Sequence, residues 1–333
     1  MVRKEKDISL NDSNHDNGCV TTALLLAAGT GSRLYPLTQS MPKCLTMVNG
    51  ASILERLVFV LNQHGFKRLV IVTGHLEHCI REFLGTRAGS VTIEYIFSPL
   101  YETTNNIYSL WMARERIHEP FLLIESDLVF DGSLLDDMCY PDRIAVARMQ
   151  PWMNGSTVTV NQFKQVKAFQ SRTASLLNET RYKTVNIYSF SRFSWLAIAK
   201  RLDQYISAGR VHDYYETVFA DMVADGALSL QTISFDSKPW YEIDTIADLA
   251  ETEKLFSADT YETTICDGLT PQTFGISRPL LQQTRSREAE TITRILSGVR
   301  SAPQPNSFNM KLIHEAALQE NEEFLKKPTG TIH

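Results

Sequence analysis

The segment LLLAAGTGSRLYPLTQSMPKCL, residues 24–45, joins a continuous apolar run to a loop that contains two glycines and two basic residues. An apolar run without polar alternation predicts a strand that is buried on both faces, as in a parallel sheet covered by helices. The loop then follows the carboxyl end of that strand, which is where open α/β sheets bind ligands. The segment therefore predicts a ligand-binding loop at the edge of an α/β sheet.

The residues of this loop suit a polyphosphate. Gly29 and Gly31 allow the backbone to turn tightly and to offer amide donors, while Arg33 and Lys43 supply positive charge. A dinucleotide-binding GxGxxG loop would need glycine where Leu34 stands, and a Walker A loop would need Gly-Lys-Ser/Thr, which does not occur here. Dehydrogenases and P-loop ATPases are therefore disfavoured.

Outward from this loop, apolar strands and amphipathic helices alternate, which predicts a doubly wound, mostly parallel α/β sheet. Between residues 151 and 179, short stretches of alternating polarity predict a small antiparallel insertion. The predicted strands are TTALLLAA, RLVIVTG, VTIEYIF, PFLLIES, RIAVARM, KTVNIYSFS and LSLQTISF, and the predicted helices are SILERLVFVLNQHG, LEHCIREFLG, NIYSLWMARERI, SLLDDM, SWLAIAKRLDQYISAG, HDYYETVFADMVADG and IADLAETEKLF.

The two ends of the chain differ from this central part. Residues 1–20 are polar and without periodicity, which predicts a disordered tail before a main domain at residues 21–257. Residues 258–333 contain loops rich in Thr, Gln, Ser and Pro around two helical candidates. They predict a C-terminal helical or partly disordered extension that could form an oligomer contact.

Composition restricts the class of protein. The chain has 333 residues, 43% of them hydrophobic, and a net charge of -5, so nucleic acid and anionic membranes are not expected partners. Its five scattered cysteines have no CxxC or Cys/His spacing, which disfavours a disulfide framework or a zinc site. No apolar run is long enough for a signal peptide or a membrane span, so a cytoplasmic location is expected.

The stretch from residue 25 to residue 43 resembles the signature loop of the sugar-phosphate and phosphocholine nucleotidyltransferases, AAGxGxRLxPLT followed by PK. The resemblance extends over residues 21–256 and implies a GT-A-like, Rossmann-type fold. It assigns catalytic roles at the triphosphate to Arg33 and Lys43. The other expected nucleotide-binding residues are Ala28, Gly29, Gly31, Ser32 and Gly74, the last of which ends the RLVIVTG strand.

The same resemblance places two metal-binding carboxylates, Asp127 in IESDLVF and Asp244 in WYEIDTIADL. Magnesium prefers hard oxygen ligands and accepts one or two carboxylates beside substrate phosphates, so Mg²⁺ is the expected cofactor. Each aspartate also has a structural alternative. Asp127 could cap the short helix near Ser133, and Asp244 could cap the helix that follows it.

The segment TTNNIYSLWMA, residues 103–113, resembles a stretch of bacterial-type CTP:phosphocholine cytidylyltransferases and their phosphonate-handling relatives. It makes Asn105, Asn106 and Ser109 expected contacts of the acceptor, although asparagine also caps helices at such positions. The resemblance favours CTP over the other triphosphates.

Four later residues are also expected on the acceptor side. Lys183 and Asn186 are expected near the acceptor phosphate, the ribose or the metal, with a solvated strand-edge lysine as the alternative. Glu216 and Trp240 are expected to line the site of a cationic acceptor, which an aromatic and acidic environment favours. Aromatic residues at such spacings also commonly belong to the core.

These residues together predict transfer of a nucleoside monophosphate, with CMP from CTP favoured, onto the phosphate or phosphonate of a small metabolite. Phosphocholine, a phospho-aminoalcohol and a phosphonate are the expected acceptor classes, and pyrophosphate is released. A sugar-1-phosphate nucleotidyltransferase that uses UTP, dTTP or GTP is one alternative. A nucleotide-binding regulator without catalytic activity is the other.

Overall fold

The computed structural model of the protein describes residues 18–150, 153–170 and 180–256. Of the predicted tail, residues 1–20, only the last three residues are included, and the predicted extension, residues 258–333, lies outside the described part with both of its helical candidates. The oligomer contact through that extension therefore stays a prediction. Every helix in the described ranges is too short or too polar to span a bilayer.

The strands and helices follow in nearly the predicted order. The strands are β1 Thr22–Ala27, β2 Met47–Val48, β3 Ala51–Ser52, β4 Arg68–Thr73, β5 Arg87–Ala88, β6 Val91–Phe97, β7 Phe121–Glu125, β8 Leu128–Phe130, β9 Arg143–Arg148, β10 Thr157–Val160, β11 Val166–Gln170, β12 Tyr182–Phe190, β13 Gln231–Ser234 and β14 Trp240–Glu242. The α-helices are α1 Ile53–Gln63, α2 Glu77–Leu84, α3 Asn106–Ala113, α4 Arg192–Ser207, α5 Tyr215–Ala224 and α6 Ile246–Leu255. Short 3-10 helices occupy Ser32–Leu34, Leu37–Gln39, Lys43–Leu45 and Gly132–Leu135.

The centre of the main sheet is parallel, as predicted. Its strands lie in the order β7, β1, β4, β6, and the register places Leu26 beside Glu125 and Ala27 beside Thr73. Because parallel strands point the same way, their carboxyl ends meet along one edge of the sheet. The loops after β1, β4 and β7 therefore emerge side by side.

The part of the sheet beyond β7 is mostly antiparallel, with one parallel pair between β9 and β13. Strand β12 runs antiparallel to β7 and to β9, and β10 pairs antiparallel with both β12 and β11. The predicted antiparallel insertion is thus present, although residues 151–152 and 171–179 lie outside the described part. The β12–β9 register shifts between Thr184 and Tyr188, where Asn186 adopts a φ of 59°. Asparagine tolerates this left-handed conformation better than most residues do.

Helices α3, α4 and α5 cover one face of the sheet and share a hydrophobic core with it. Leu24 and Leu26 contribute to this core from β1, and side chains two residues apart on a strand point to the same face. Trp195 of α4 packs edge-on against Phe121 with ring centroids 4.9 Å apart, and its indole N–H donates to the carbonyl of Ile117 at 2.9 Å. Burial of each large apolar side chain stabilises the fold by about 1.5–3 kcal/mol.

Two helices are shorter than the sequence predicts. Helix α3 ends at Ala113 instead of Ile117, because the amides of Arg116 and Ile117 both donate to the Ala113 carbonyl and tighten the chain into a turn. Helix α5 begins at Tyr215 because its first amide donates to the side chain of Asn106, which holds the preceding residues outside the helix. A local turn therefore ends α3, and a tertiary contact fixes the start of α5.

Candidate active site

The glycine loop after β1 is held in shape by its own backbone. Gly31 has a φ of +63°, which favours glycine, and its carbonyl accepts from the Leu34 amide at 2.9 Å and from the Thr38 hydroxyl at 2.7 Å. A Cβ at Gly31 would lie 3.1 Å from Cγ2 of Thr38 and 3.2 Å from Cβ of Lys43. The loop is therefore preformed, and it places the stem of Lys43 directly against it.

Gly74 supports this loop from behind. A Cβ there would lie 2.6 Å from the Ala28 carbonyl oxygen and 2.7 Å from the Tyr101 ring, so no larger residue fits without a shift. The amide of His75 donates to the same Ala28 carbonyl at 3.0 Å. Gly74 does not itself line the cleft described below, so its expected contact with the nucleotide stays a prediction.

Strand pairing outside the main sheet brings Asp127 and Asp244 together. Strand β14 pairs antiparallel with β8, which places Glu242 opposite Leu128, and the Ile243 amide donates to the Asp127 carbonyl at 2.9 Å. Asp127 lies directly before β8, and Asp244 lies two residues after β14. This small sheet closes the long sequence separation between the two aspartates.

Neither aspartate serves as the helix cap considered above. Asp131 caps the 3-10 helix at Gly132–Leu135 by accepting from the Ser133 amide at 3.0 Å. Thr245 caps α6 in a capping box with Asp248. Helix capping therefore does not explain why Asp127 and Asp244 lie close together with only 12–13% of their side chains exposed.

Lys43 lies between these two carboxylates. Its Nζ is 2.7 Å from Oδ2 of Asp127 and 2.7 Å from Oδ1 of Asp244, and Arg33 Nη2 lies 2.7 Å from the same Asp244 oxygen. Burial alone would lower the pKa of Lys43, but the charges of both aspartates outweigh it and raise that pKa. Burial also opposes ionisation of Asp244, yet Lys43 and Arg33 hold its pKa below the usual range.

Two further carboxylates, Glu125 and Glu242, complete an acidic cluster. One ligand oxygen each of Glu125, Asp127 and Glu242 lies within 4.8 Å of the others, and Oδ1 of Asp127 is buried without a hydrogen-bond partner. A buried, unpartnered carboxylate oxygen is costly unless a cation reaches it. The donor set is all oxygen, which fits the expected magnesium.

A cleft of about 320 Å³ opens beside this cluster at the carboxyl edge of the sheet. It brings together most of the residues predicted for the nucleotide, the metal and the first acceptor segment. Those residues are Ala28, Gly29, Gly31, Ser32, Arg33, Lys43, Asn105, Asn106, Ser109, Asp127 and Asp244. Leu26, Thr30, Tyr101, Thr104, Glu125, Ser126 and Tyr214 also line it.

The asparagine segment connects α3 to this cleft. Asn105 caps α3, as the structural alternative proposed, because its side chain accepts from the Asn106 amide at 2.8 Å. Asn106 donates from Nδ2 to Oε1 of Glu125 at 3.1 Å, and the Tyr215 hydroxyl donates to the same oxygen at 2.8 Å. Ser109 is buried in α3 but reaches the cleft wall. Asn106 thus links α3, β7 and α5.

The later predicted acceptor residues lie outside the main cleft. Lys183 is not a solvated lysine, since it is 2% exposed and its Nζ is 3.0 Å from Glu242 and 2.7 Å from the Thr184 carbonyl. Lys183 and Trp240 line a smaller cavity of about 40 Å³ that shares Asp244 with the main cleft. Asn186 and Glu216 are buried and line neither cavity.

Burial raises the pKa of two of the glutamates, Glu125 and Glu216. Burial, followed by the charges of Asp127, Glu216 and Glu242, raises the pKa of Glu125 well above its ordinary value. Burial likewise raises the pKa of Glu216 to about 7, although Lys183 opposes the shift, and Oε2 of Glu216 has no hydrogen-bond partner. The interior beside the cleft therefore carries more carboxylates than it can ionise easily.

A repeated spacing in the sequence signals the carboxylates that prediction missed. Glu125 precedes Asp127 in ESD, and Glu242 precedes Asp244 in EID, so each aspartate has a glutamate two residues before it. Residues two apart at a strand end point the same way. The repeated spacing therefore predicts four carboxylates where two were expected.

The chain is similar in sequence to known nucleotidyltransferases. Residues 22–150 match the nucleotidyl transferase family. The chain is 30% identical over 264 residues to the CMP-5'-(3-aminopropyl)phosphonate synthase of Streptomyces rubellomurinus, an alignment that covers 74% of this chain and 40% of that protein. It is 23% identical over 239 residues to the choline-phosphate cytidylyltransferase of Streptococcus pneumoniae, which covers 70% of this chain and 97% of that one. The chain thus spans well under half of the first relative and nearly all of the second.

Solved structures share the fold at low identity. The CTP:phosphocholine cytidylyltransferase from Streptococcus pneumoniae superposes with a TM-score of 0.59 at 20% identity, over 72% of this chain and 100% of that one. The inositol-1-phosphate CTP transferase from T. maritima gives a TM-score of 0.58 at 20% identity, over 76% and 99%. These similarities confirm the predicted GT-A-like fold.

Proposed function

We propose that this chain, whose residues 22–150 match the nucleotidyl transferase family, transfers CMP from CTP onto the phosphate or phosphonate of a small metabolite and releases pyrophosphate. One observation carries the proposal. The glycine loop, Lys43 and the aspartate pair Asp127 and Asp244 converge on one cleft at the carboxyl edge of the sheet. That grouping provides amide donors, a cation and metal ligands for a polyphosphate in a single place.

The reaction is an in-line displacement at the α-phosphorus of the triphosphate. An oxygen of the acceptor phosphate forms the new P–O bond, and the bond to the bridging oxygen breaks as pyrophosphate leaves. The acceptor oxygen is already anionic, so no side chain has to remove a proton from it. The backbone amides of the loop at residues 28–33 and the charges of Arg33 and Lys43 align two anions that would otherwise repel each other.

Asp127 and Asp244 are the residues that would hold magnesium. Their carboxylates lie on one side of the cleft, and the free Oδ1 of Asp127 offers a ligand position. When bound, magnesium supplies positive charge to the phosphates that the side chains neutralise only in part.

Two observations support a cytidine nucleotide and an acceptor with a positively charged group. The relatives described above include a CMP-aminopropylphosphonate synthase and a choline-phosphate cytidylyltransferase. Tyr214 lines the cleft and is 59% exposed, so its ring is available to a cation. An ammonium group over an aromatic face gains about 0.5–2 kcal/mol. A cytoplasmic location is also proposed, with which the free thiols of the described cysteines Cys19, Cys44, Cys79 and Cys139 agree.

The proposal is tested by measuring pyrophosphate release with CTP, UTP, dTTP and GTP in turn. Each triphosphate is combined with phosphocholine, 2-aminoethylphosphonate or glucose-1-phosphate in the presence of Mg²⁺. We expect release with CTP and one of the two amine-containing acceptors. Turnover confined to glucose-1-phosphate would favour a sugar-1-phosphate nucleotidyltransferase. Nucleotide binding without turnover on any acceptor would favour a regulator.

A further inference from the structure

Lys43 occupies the position between the two aspartates that the proposed function reserves for a metal. Its ammonium bonds to Asp127 and Asp244 at 2.7 Å each, and all three side chains are only 12–13% exposed. An ion held by these aspartates would share their carboxylates with this ammonium. The ammonium and such an ion therefore compete for the same negative charge.

The reason is both geometric and electrostatic. Magnesium binds oxygen at about 2.0–2.1 Å, so an ion that bridges the two aspartates would approach the present position of the Lys43 ammonium closely. Two cations at such a distance in a half-buried site repel each other strongly. Oδ1 of Asp244 accepts from Arg33 as well as from Lys43, so two cationic side chains already share the charge of Asp244.

The alternative position for the Lys43 ammonium lies along the same cleft. The stem of Lys43 begins against Gly31, since a Cβ on that glycine would come within 3.2 Å of the lysine Cβ, and both residues line the cleft. A flexible four-carbon stem anchored beside the loop can direct its ammonium either to the aspartates or to phosphates held by the loop amides. Both positions neutralise negative charge.

The geometry points to a second role for Lys43, which rests on the proposed function. Lys43 is an internal counter-ion that holds Asp127 and Asp244 together in the metal-free protein and competes with a divalent cation for them. Binding of the triphosphate ends this competition, because its phosphates offer the Lys43 ammonium another anionic partner. Tight metal binding therefore depends on the arrival of the nucleotide.

The test measures Mn²⁺ binding without nucleotide, by electron paramagnetic resonance of the free ion, in the wild type and two variants. Lys43→Met keeps the length of the side chain and removes the cation, and Lys43→Arg keeps the cation. We expect Lys43→Met to bind Mn²⁺ about tenfold more tightly than the wild type, because one buried positive charge is gone. Lys43→Arg should bind as weakly as the wild type. Equal or weaker binding by Lys43→Met overturns the inference.

A second measurement uses the unaltered protein, in case the variants fold poorly. Pulsed acetylation followed by mass spectrometry reports how reactive each lysine is. Lys43 should be acetylated slowly in metal-free protein, since its ammonium is engaged by two carboxylates, and faster when Mn²⁺ saturates the site. Lys254, 69% exposed and paired with Glu251, is the matched control and should not respond to the metal. Unchanged Lys43 labelling at saturating Mn²⁺ overturns the inference.

Neither measurement involves turnover, so the two proposals fail separately. Absence of pyrophosphate release with every acceptor would remove the proposed function and leave the Mn²⁺ comparison between Lys43→Met and Lys43→Arg meaningful. Pyrophosphate release by the wild type, together with an unchanged Mn²⁺ affinity in Lys43→Met, would remove only the counter-ion role.

Discussion

The nucleotide side and the acceptor side of the candidate site are built differently. The nucleotide side is an open loop whose shape comes from backbone hydrogen bonds and from glycines at residues 31 and 74. On the acceptor side, the predicted residues Lys183, Asn186 and Glu216 are 2–9% exposed, and Lys183 is already paired with Glu242. The first region is ready for a ligand, whereas the second is closed and carries buried charge.

This difference separates two kinds of energetic cost. A preformed loop has lost its conformational freedom on folding, so ligand binding does not have to order it. A closed acidic interior is destabilised by every carboxylate that ionises without a partner. The two regions meet at Asp127 and Asp244, and the following predictions test the boundary between them.

The largest effect is expected at that boundary. Asp127→Asn removes a proposed metal ligand and a partner of Lys43, and it should lower the rate of pyrophosphate release by about 10³-fold or more. Asp131→Asn is the matched control, because Asp131 caps the adjacent 3-10 helix and pairs with Lys238 without lining the cleft. It should retain activity within about twofold and change stability by less than about 1 kcal/mol, since asparagine caps helices about as well as aspartate. Near-normal turnover by Asp127→Asn, with a native circular dichroism spectrum, would remove Asp127 from the metal site.

The next effect concerns buried charge on the acceptor side. Burial raises the pKa of Glu216 from 4.5 to about 7, so the folded protein keeps this proton while the unfolded chain loses it. The resulting stabilisation by protonation is fully present below about pH 4.5 and is lost as the pH rises through 7. At pH 8 the ionised Glu216 should cost on the order of 3 kcal/mol.

Glu216→Gln should therefore be more stable than the wild type at pH 8, by up to that amount, and the difference should shrink toward pH 5. Urea unfolding between pH 5 and 8 measures it. Glu251→Gln makes the same change at a side chain that is 54% exposed, and its stability should follow the wild-type pH profile. Parallel profiles for Glu216→Gln and the wild type would show that Glu216 is ionised without cost.

The smallest effect is expected on the nucleotide side. Gly74→Ala forces a methyl group to within 2.6 Å of the Ala28 carbonyl, so the loop must shift, and it should cost about 1–3 kcal/mol of stability. A Cβ at Gly29 meets no heavy atom within 4 Å, so Gly29→Ala should change stability by less than about 1 kcal/mol. Urea unfolding of both variants decides the matter. Equal stabilities would indicate that the loop is not shaped by close packing at Gly74.

Features of the fold that depend on local sequence patterns could be predicted, whereas features that depend on specific contacts could not. The apolar runs at Thr22–Ala27 and Arg68–Thr73 predicted buried parallel strands, because burial on both faces leaves its mark on each residue. The ends of α3 and α5 could not be predicted, because Asn106 and the Ala113 carbonyl fix them through contacts distant in sequence or specific to one turn. Helix periodicity does not contain that information.

The candidate site divides in the same way. The loop at residues 28–43 could be predicted because its glycines and cations are contiguous and act through the backbone they belong to. The glutamates at 125 and 242 were missed, although each stands two residues before a predicted aspartate. Lys183 was left open as a solvated lysine, since only the pairing with Glu242 explains its burial.

The sequence by itself determined the α/β class, the position of the glycine loop and the charged residue types from which a polyphosphate and a divalent cation were predicted. These properties reside in local periodicity and in a contiguous motif. Only the tertiary structure decided that the β8–β14 pairing unites Asp127 with Asp244, that Lys43 holds both, and that Lys183 is buried against Glu242. The physical reason is that the charge state of a buried group depends on neighbours that chain folding, and not chain order, brings within a few ångströms.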